Sequence, residues 1–191
     1  MNIPIIETER LILRPFTMED LESIYEIFSD EKINTYLPWF PLKSIKEAKT
    51  FYKEKYENTN DYKYAICLKS NNIPIGYINM SMDDSHDFGY GLKTEFWRQG
   101  IVSEASRALI ERLKKDGIKY ITATHDVNNP HSGFVMKSLG MKYQYSYEEF
   151  WKPKNFNVIF RMYQLNFDEN NKTVYRKYCN MYENHFIEEN V

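Results

Sequence analysis

A predicted strand runs into a predicted amphipathic helix through the stretch Phe96-Trp97-Arg98-Gln99-Gly100-Ile101-Val102-Ser103-Glu104-Ala105. The first turn of a helix leaves backbone N–H groups without partners and carries a partial positive charge, which suits a phosphate. Gly100 would let the backbone approach a ligand without a Cβ in the way, and Arg98 could add a cation. The alternative interpretation is an ordinary strand-to-helix turn with an arginine in solvent.

The hydrophobic period changes several times on either side of this loop, and each change predicts an element. Helices are expected after the N-cap Thr17 and after Ser44, whose Glu47 completes a capping box. We predict, in chain order, a strand at 10–14, these two helices, strands at 64–68, 73–82 and 87–93, a helix at 101–113, a strand at 120–124, a helix at 132–139, strands at 143–151 and 158–167, and a last amphipathic helix at 174–182. This order predicts an α/β (α+β) fold with helices flanking a mixed, mostly antiparallel sheet.

Length and composition limit the classes of protein that fit. The 191 residues predict a single domain, 1–191, with a core at about 8–165 and a C-terminal helical extension at about 168–188. The 25 basic and 27 acidic residues nearly cancel, which gives no support to a nucleic-acid partner. No apolar run approaches the ~20 residues of a membrane span, and residues 1–14 lack the apolar core of a signal peptide. Two distant cysteines and the absence of metal-ligand spacing favour a reduced, cytoplasmic protein without a metal.

A second informative segment is Asn129-Pro130-His131-Ser132-Gly133-Phe134-Val135-Met136-Lys137-Ser138-Leu139-Gly140-Met141. With the loop and the opening Thr8-Glu9-Arg10-Leu11-Ile12-Leu13-Arg14-Pro15, it resembles the GNAT N-acetyltransferases. Within that superfamily the resemblance is to the RimJ/RimL-like branch of ribosomal-protein N-terminal acetyltransferases. It runs from about Thr8 to Leu165. The branch pattern is W-G-x-G-x-A, so Arg98 stands where glycine is usual and Val102 replaces the small last residue.

The resemblance implies an acetyl-CoA-dependent N-acetyltransferase in which a primary amine attacks directly in a ternary complex, with acetyl-CoA as co-substrate. In similar proteins the fourth and fifth strands splay apart, and the pantetheine arm lies between them like an added strand. The implied cofactor-binding residues are Leu92, Lys93 and Thr94 for the arm, Arg98, Gln99, Gly100, Ile101, Val102 and Ser103 for the diphosphate, and Asn129, Ser132 and Met136 beside the arm. Asn129 has an alternative role, because an N-cap residue followed by proline is a common helix start.

The resemblance also suggests catalytic groups. Many relatives carry a tyrosine acid seven residues after the motif asparagine, where this chain has Met136, so Ser132 becomes the candidate acid. Its alternative role is a small residue packed on the helix face. Asp87 and Glu149 are the candidate bases, and the alternative for each is a solvated carboxylate, with water carrying the proton away.

The acceptor is expected to be a small-molecule amine or a protein N-terminus, and the protein a monomer or a homodimer. The aromatic residues Tyr36, Trp39 and Phe40 are expected to border the acceptor site, although each is equally suited to the core. Met136 and Val102 depart from the family pattern and favour a second hypothesis, a non-catalytic coenzyme A-binding module or sensor.

Overall fold

The computed structural model describes residues 3–168, 170–189 and 191. The strands are β1 (Ile6–Glu7), β2 (Leu11–Arg14), β3 (Tyr62–Leu68), β4 (Pro74–Met80), β5 (Phe88–Leu92), β6 (Tyr120–Asp126), β7 (Lys142–Trp151), β8 (Phe156–Asn166) and β9 (His185–Phe186). The helices are α1 (Leu21–Ser29), α2 (Glu31–Asn34), α3 (Ile45–Lys55), α4 (Ile101–Lys115), α5 (Pro130–Ser138) and α6 (Lys177–Met181). The predicted mixed α/β architecture is confirmed, while β1, α2 and β9 were not predicted.

The strands form two sheets rather than the one predicted mixed sheet. The first sheet has the order β1-β2-β3-β4-β5 and the second the order β6-β8-β7-β9, with antiparallel pairing throughout. A single parallel bridge between Asp87 and Thr122 joins them, where the Thr122 N–H donates to the His86 carbonyl at 3.2 Å. Within the described residues β5 and β6 pair nowhere else, so a gap opens between them beyond the bridge.

Helices α1 and α3 begin as their capping residues predict. Thr17 caps a short 3-10 turn, Met18–Asp20, that leads into α1, and the Asp20 carboxylate accepts a hydrogen bond from the Thr17 backbone at 2.8 Å. Arg14 donates to the same carboxylate at 2.7 and 2.8 Å. Burial raises the pKa of Asp20, but the bonds from Arg14 and Thr17 outweigh it and leave the pKa below its ordinary value. Ser44 caps α3 by accepting from the Glu47 N–H at 3.2 Å. The predicted capping box is incomplete, because the Glu47 carboxylate accepts from the Lys43 N–H at 2.8 Å and not from the Ser44 N–H.

Helix α4 packs on the first sheet through the apolar face that its spacing predicts. The buried positions of that face are Ile101, Ala105, Leu109, Ile110 and Leu113. Burial of one such Leu or Ile side chain stabilises the fold by roughly 1.5–3 kcal/mol. The packing of these buried residues therefore fixes the position of the first turn of α4 relative to β5. Helices α1 and α3 cover the opposite face around Phe28, Tyr52 and Tyr77.

The C-terminal extension, residues 168–188, is less helical than predicted. Helix α6 has five residues, and Val174 and Tyr182, which the helical spacing included, lie outside it. The Gln164 side chain accepts from the Tyr175 N–H and donates to the Thr173 carbonyl, both at 2.8 Å, so the backbone before α6 bonds to β8 instead of forming a helical turn. Glu169, within the predicted extension, lies outside the described residues.

Both cysteines are free and buried, Cys67 in β3 and Cys179 in α6. Burial raises the pKa of the Cys67 thiol to about 11. No described helix combines the length and the apolar character that crossing a bilayer requires. In the described ranges, no group of three His, Cys, Asp or Glu side chains is placed to hold a metal ion.

Candidate active site

The edge of β5 that faces the gap carries backbone groups that β4 does not use. The Lys93 N–H donates to the Ile75 carbonyl at 2.9 Å, and the Ser81 N–H donates to the Asp87 carbonyl at 3.0 Å. Hydrogen bonding alternates along an antiparallel edge, and the register of β4 and β5 is regular. Tyr90 and Leu92 therefore turn their N–H groups into the gap, where an extended chain can pair with them.

This alternation decides which of the predicted arm-binding residues can offer a backbone N–H to a pantetheine arm in the gap. Leu92 offers its N–H to the gap, while its carbonyl accepts from Trp97 Nε1 at 2.7 Å. Lys93 does not, because its N–H is bonded to β4 and its ammonium group pairs with Glu26. Thr94 begins a 3-10 turn, Thr94–Phe96, and its carbonyl accepts from the Trp97 N–H at 3.2 Å.

Glycines let β4 and β5 approach each other closely. A Cβ on Gly76 would lie 2.3 Å from the Gly91 carbonyl oxygen, and a Cβ on Gly91 would lie 2.4 Å from the Tyr77 ring. A Cβ on Gly89 would meet nothing within 4 Å. The face of β5 that carries Gly89 is therefore open beside the gap.

The predicted phosphate loop turns through two left-handed residues before α4. Gly100 is the N-cap of α4 with φ +74°, and Arg98 has φ +60°. A non-glycine residue in this conformation costs roughly 1–2 kcal/mol. That cost gives a physical reason for the glycine that the branch pattern carries at the Arg98 position.

The other loop residues divide between surface and core. Arg98, Gln99 and Gly100 are exposed, and Ser103 is half-buried in the first turn of α4. Ile101 is buried, and Val102 packs against the same core. The side chains of these last two residues therefore serve packing, and they can offer a ligand only their backbone N–H groups.

The N-terminal motif holds the loop from behind. Glu104 accepts from Thr8 Oγ1 at 2.6 Å and from Arg10 Nε at 2.7 Å, and Arg10 Nη1 donates to the Gln99 carbonyl at 3.0 Å. Burial raises the pKa of Glu104, but the hydrogen bonds from Thr8 and Arg10 bring it below its ordinary value. Glu104 therefore stays ionised and acts as an anchor for the loop.

The start of α5 forms the other wall of the gap. Asn129 Oδ1 accepts from the Ser132 N–H at 3.4 Å, so its side chain caps the helix, as the alternative interpretation held. The cap engages only the oxygen, and the amide of an asparagine also carries two donor hydrogens. Met136 is buried with 1% exposure. Across the gap, the Tyr90 hydroxyl lies 3.1 Å from Ser132 Oγ.

Asp87 occupies the point where the two sheets separate. Its backbone N–H donates to Ser85 Oγ at 3.2 Å, and no hydrogen bond from the described part of the chain reaches its carboxyl oxygens. Burial, with a smaller contribution from the negative charge of Asp83, raises the pKa of Asp87 to about 6. A carboxylate with this pKa is ionised at neutral pH and can accept a proton.

Glu149 lies on β7 in a different environment. It is half-buried, and burial together with the interaction of the Tyr182 hydroxyl with the Glu149 carboxylate raises the pKa of Tyr182. Tyr182 also stacks on Tyr147 at 4.8 Å between ring centroids, and Tyr178 stacks on Tyr147 at 5.2 Å. Of the two candidate bases, the geometry favours Asp87, because its carboxyl group is not committed to a partner.

The three aromatic residues expected at the acceptor site have different positions. The Tyr36 hydroxyl donates to the Asn128 carbonyl at 2.9 Å and so joins the aromatic loop to the turn before α5. Trp39 packs in the α1–α3 cluster with its ring centroid 5.9 Å from that of Phe51, and Phe40 is 58% exposed. Tyr36 is therefore the one of the three that contacts the wall carrying Ser132.

The GNAT acetyltransferase domain family matches residues 10–142. The chain belongs to this family. An uncharacterized N-acetyltransferase of Bacillus subtilis strain 168, YnaD, is 29% identical over 141 residues, which are 72% of this chain and 82% of the relative. These similarities identify the protein as an N-acetyltransferase.

Solved structures share the fold. One described as a putative ribosomal-protein-serine acetyltransferase from Vibrio cholerae has a TM-score of 0.72 and 19% identity, with 86% of this chain and 98% of that chain covered. The microcin C7 self-immunity acetyltransferase MccE, in complex with acetyl-CoA and AMP, has a TM-score of 0.73 and 18% identity, with 83% and 93% covered. At these identities the likeness concerns the fold.

Sequence reasoning missed the parts of this site that depend on tertiary contacts. Tyr90 lies within the strand predicted at 87–93, and its hydroxyl contacts a residue 42 positions away. The strand alternation of β5 would have placed it on the same face as Leu92. No local signal in the sequence could have indicated its partner.

Proposed function

We propose that the chain transfers an acetyl group from acetyl-CoA to a primary amine, which attacks directly within a ternary complex. The observation that carries this proposal is the gap between β5 and β6, which exposes the Tyr90 and Leu92 N–H groups and leads into the left-handed loop at the start of α4. Acetyl-CoA supplies the thioester that the amine attacks. The MccE complex supports this assignment of the co-substrate at the level of the fold.

The residues of the gap fit an extended arm that ends in a diphosphate. The Leu92 N–H can pair with an amide of the arm, and the amide hydrogens of Asn129 can donate to its carbonyl groups. The exposed backbone at Gly100, the N–H groups that follow it in α4 and the Arg98 guanidinium suit the diphosphate. A backbone N–H of β5 beside the gap would polarise the thioester carbonyl.

Asp87 is proposed to take the proton of the amine. A free primary amine has a pKa of about 10 and is mostly protonated at pH 7. Desolvation lowers the pKa of an ammonium group, so the acceptor gives its first proton to solvent before the attack. The open face beside Gly89 allows the neutral amine to approach Asp87, which takes the second proton as the C–N bond forms. Ser132, on the opposite wall, donates a hydrogen bond to the sulfur as negative charge develops there.

The likeness to the Vibrio cholerae protein supports a protein as one acceptor class, and the resemblance to the RimJ/RimL-like branch points to its N-terminus. Small amines form the other class. Both are retained in the proposal, together with a cytoplasmic location and a monomeric or dimeric state.

The test is release of free thiol from acetyl-CoA by the full chain in the presence of a panel of small amines and short peptides with free N-termini. We expect thiol release that requires one class of acceptor and that Asp87→Asn lowers by about a hundredfold or more. Release without any acceptor, or equal release by the variant, would contradict the proposed chemistry.

A second candidate, a coenzyme A-binding module without catalysis, is favoured by the buried Met136 at the position where relatives carry an acid. Tight binding of acetyl-CoA without thiol release for any member of the panel would support this second function over the first.

A further inference from the structure

Thr124 lies on β6, two residues beyond the bridge that joins the two sheets. Successive side chains of a strand point to opposite faces. Ile121 and Ala123 belong to the core that α4 covers, so Thr124 points to the other face. Its partner on β8 is Met162, which lies in the second-sheet cluster, the buried group around Met162 and Tyr147. The Thr124 side chain therefore shares a face of the sheet with that cluster.

Asp87 lies on the same face, across the gap from Thr124. Its neighbour Phe88 belongs to the core that α4 covers, so the Asp87 side chain points away from that core. Burial, with smaller contributions that include the negative charge of Asp87, raises the pKa of Tyr147. Asp87 is therefore near the second-sheet cluster, as Thr124 is.

The bridge sets the spacing of the two side chains. It pairs Asp87 with Thr122 in parallel, so Gly89 and Thr124 are the next residues of the two strands on that face. Two residues of a strand rise about 6.6 Å and neighbouring strands lie about 4.8 Å apart, which gives about 8 Å between the Cα atoms of Asp87 and Thr124. A Cβ on Gly89 would meet nothing within 4 Å, so the space between them is open. A nitrogen atom placed there can contact both side chains.

The hydroxyl of Thr124 is available to a ligand. Thr124 is half-buried, and no side-chain hydrogen bond within the described part of the chain involves its Oγ1. Thr122 differs, because its hydroxyl donates to the Ser85 carbonyl at 2.8 Å and so holds the turn before β5. Thr124 Oγ1 keeps its lone pairs free to accept a hydrogen bond from a group in the gap.

We propose that Thr124 Oγ1 accepts a hydrogen bond from the attacking amine and thereby makes the site select primary over secondary amines. The inference rests on the proposed function and deepens it by naming the residue that restricts the acceptor. With one hydrogen of the amine on Asp87 and the other on Thr124, the lone pair of the nitrogen is directed toward the thioester carbon.

The hydrogens of the reaction account for this selection. A primary amine that has given its first proton to solvent keeps two hydrogens. Its lone pair forms the C–N bond, the C–S bond breaks with its electrons going to sulfur, and Asp87 takes one hydrogen as a proton. The other hydrogen stays on the amide product and is the one that Thr124 binds, while water protonates the thiolate after release. A secondary amine has only the hydrogen that Asp87 takes.

The experiment measures thiol release by Thr124→Val, which keeps the shape of the side chain without its hydroxyl, and by Thr124→Ser, which keeps the hydroxyl. The acceptors are the most active compound of the panel and the same compound methylated once on its nitrogen. For the primary amine, kcat/KM should fall about tenfold in Thr124→Val, as for the loss of one hydrogen bond, and stay near the wild-type value in Thr124→Ser. For the methylated amine, Thr124→Val should equal the wild type. The Kd for acetyl-CoA should be unchanged in both variants.

Thr122→Val is the matched control on the same strand and face. It removes a hydroxyl that the fold uses, so it should lower the melting temperature and keep the wild-type ratio of kcat/KM for the primary and methylated amines. Thr124→Val should not lower the melting temperature, because it removes a hydroxyl without a partner.

An equal loss with both amines in Thr124→Val, or no loss with the primary amine, would overturn the inference and leave the proposed function standing. If the methylated amine is inert with the wild type, the two variants decide with the primary amine alone. A loss in Thr124→Val without one in Thr124→Ser would then support the inference, and equal rates would overturn it. A wild-type chain that releases no thiol with any member of the panel would overturn both the inference and the proposed function.

Discussion

The two halves of the molecule on either side of the gap are held together by different means. In the first half, β1–β5 with their helices, the loop before α4 is tied down by an exposed ion pair between Arg10 and Glu104. In the second half, β6–β9 with the C-terminal extension, the extension is held on the sheet by Tyr147, stacked against both Tyr178 and Tyr182, and by the ion pair between Arg161 and Glu188.

This difference agrees with the separate roles that we propose for the two halves. The family match ends at residue 142, so it includes the β5 edge, the loop and α5 but almost none of β7 and β8. In our proposal the loop and the β5 edge of the first half handle the common co-substrate, while the second sheet and its extension bring Tyr147 and Tyr178 close to Asp87. The two halves can therefore be tested separately.

Asp87→Asn should have the largest effect, because Asp87 lies where the two halves meet. We expect kcat/KM to fall 10²–10⁴-fold, the usual contribution of a positioned base. In the wild type, kcat/KM should rise with pH along a limb near pH 6, since the base must be ionised. The matched control Glu149→Gln should keep this limb. If Glu149→Gln instead removed the rise of kcat/KM near pH 6, the base would be Glu149 in the second half.

The same Asp87→Asn variant should be more stable than the wild type at neutral pH. The unfolded carboxyl titrates near its model value of 3.8 and the folded one at about 6, so ionisation disfavours the folded state as pH rises through this window. Full ionisation corresponds to roughly 3 kcal/mol at 1.36 kcal/mol per pKa unit. Thermal unfolding should show the gain above pH 6 and its disappearance below pH 4. A gain that does not depend on pH would contradict this account.

Gly100→Val tests the first half alone. A side chain on this left-handed residue would strain the loop and push a diphosphate off the backbone N–H groups. Loss of one or two charge-assisted hydrogen bonds weakens acetyl-CoA binding roughly tenfold to a thousandfold. Gly117→Val is the control, because Gly117 has φ +84° with open space around it at the far end of α4. It should lower the melting temperature and leave Kd unchanged; equal Kd values for both variants would contradict this placement of the diphosphate.

Tyr178→Ala tests the second half alone. Burial, with a smaller contribution from the negative charge of Asp87, raises the pKa of Tyr178, so the ring lies near the base and the extension covers it. Removing the ring should admit water and shift the limb of the kcat/KM profile to lower pH. Tyr182→Ala, which also removes a ring from the Tyr147 stack, should shift it less. Identical profiles for both variants and the wild type would show that the extension does not shield Asp87.

Arg98→Gly should have the smallest effect. The side chain is exposed, and loss of its charge contact should weaken acetyl-CoA binding about fivefold, corresponding to on the order of 1 kcal/mol. The difference should shrink in high salt, which titration at two ionic strengths would measure. A loss that persists in high salt would mean that the arginine acts through the shape of the loop.

The first half was readable from sequence because its signals are local. Each of these signals involves residues that are close together in the sequence. They are the apolar spacing of α4, the cap at Ser44 and the glycine of the loop. The desolvation of Asp87 could not be predicted, since it depends on packing around the junction of two sheets. The Tyr90–Ser132 contact likewise joins residues that only the fold brings together.

The C-terminal extension shows why a residue pattern can mislead. Val174, Tyr178 and Tyr182 have helical spacing, but contacts with the second sheet hold the backbone around Val174 and Tyr182 outside the helix. In a segment this short, tertiary contacts outweigh the weak preference of the sequence. The single-domain boundary, the cellular location, the oligomeric state and the branch within the family stay predictions.

The buried cysteines give each half its own reporter. Cys67 lies in the first sheet and Cys179 on α6 within the extension, and burial raises the pKa of both thiols. The thiolate is the form that reacts with a disulfide dye, so these two buried thiols react slowly in the folded protein. The dye therefore measures released coenzyme A with little background from the protein. Over longer times, mass spectrometry of the labelled chain gives an opening rate for each half. Labelling of Cys179 ahead of Cys67 would mean that the extension lifts while the first sheet stays closed.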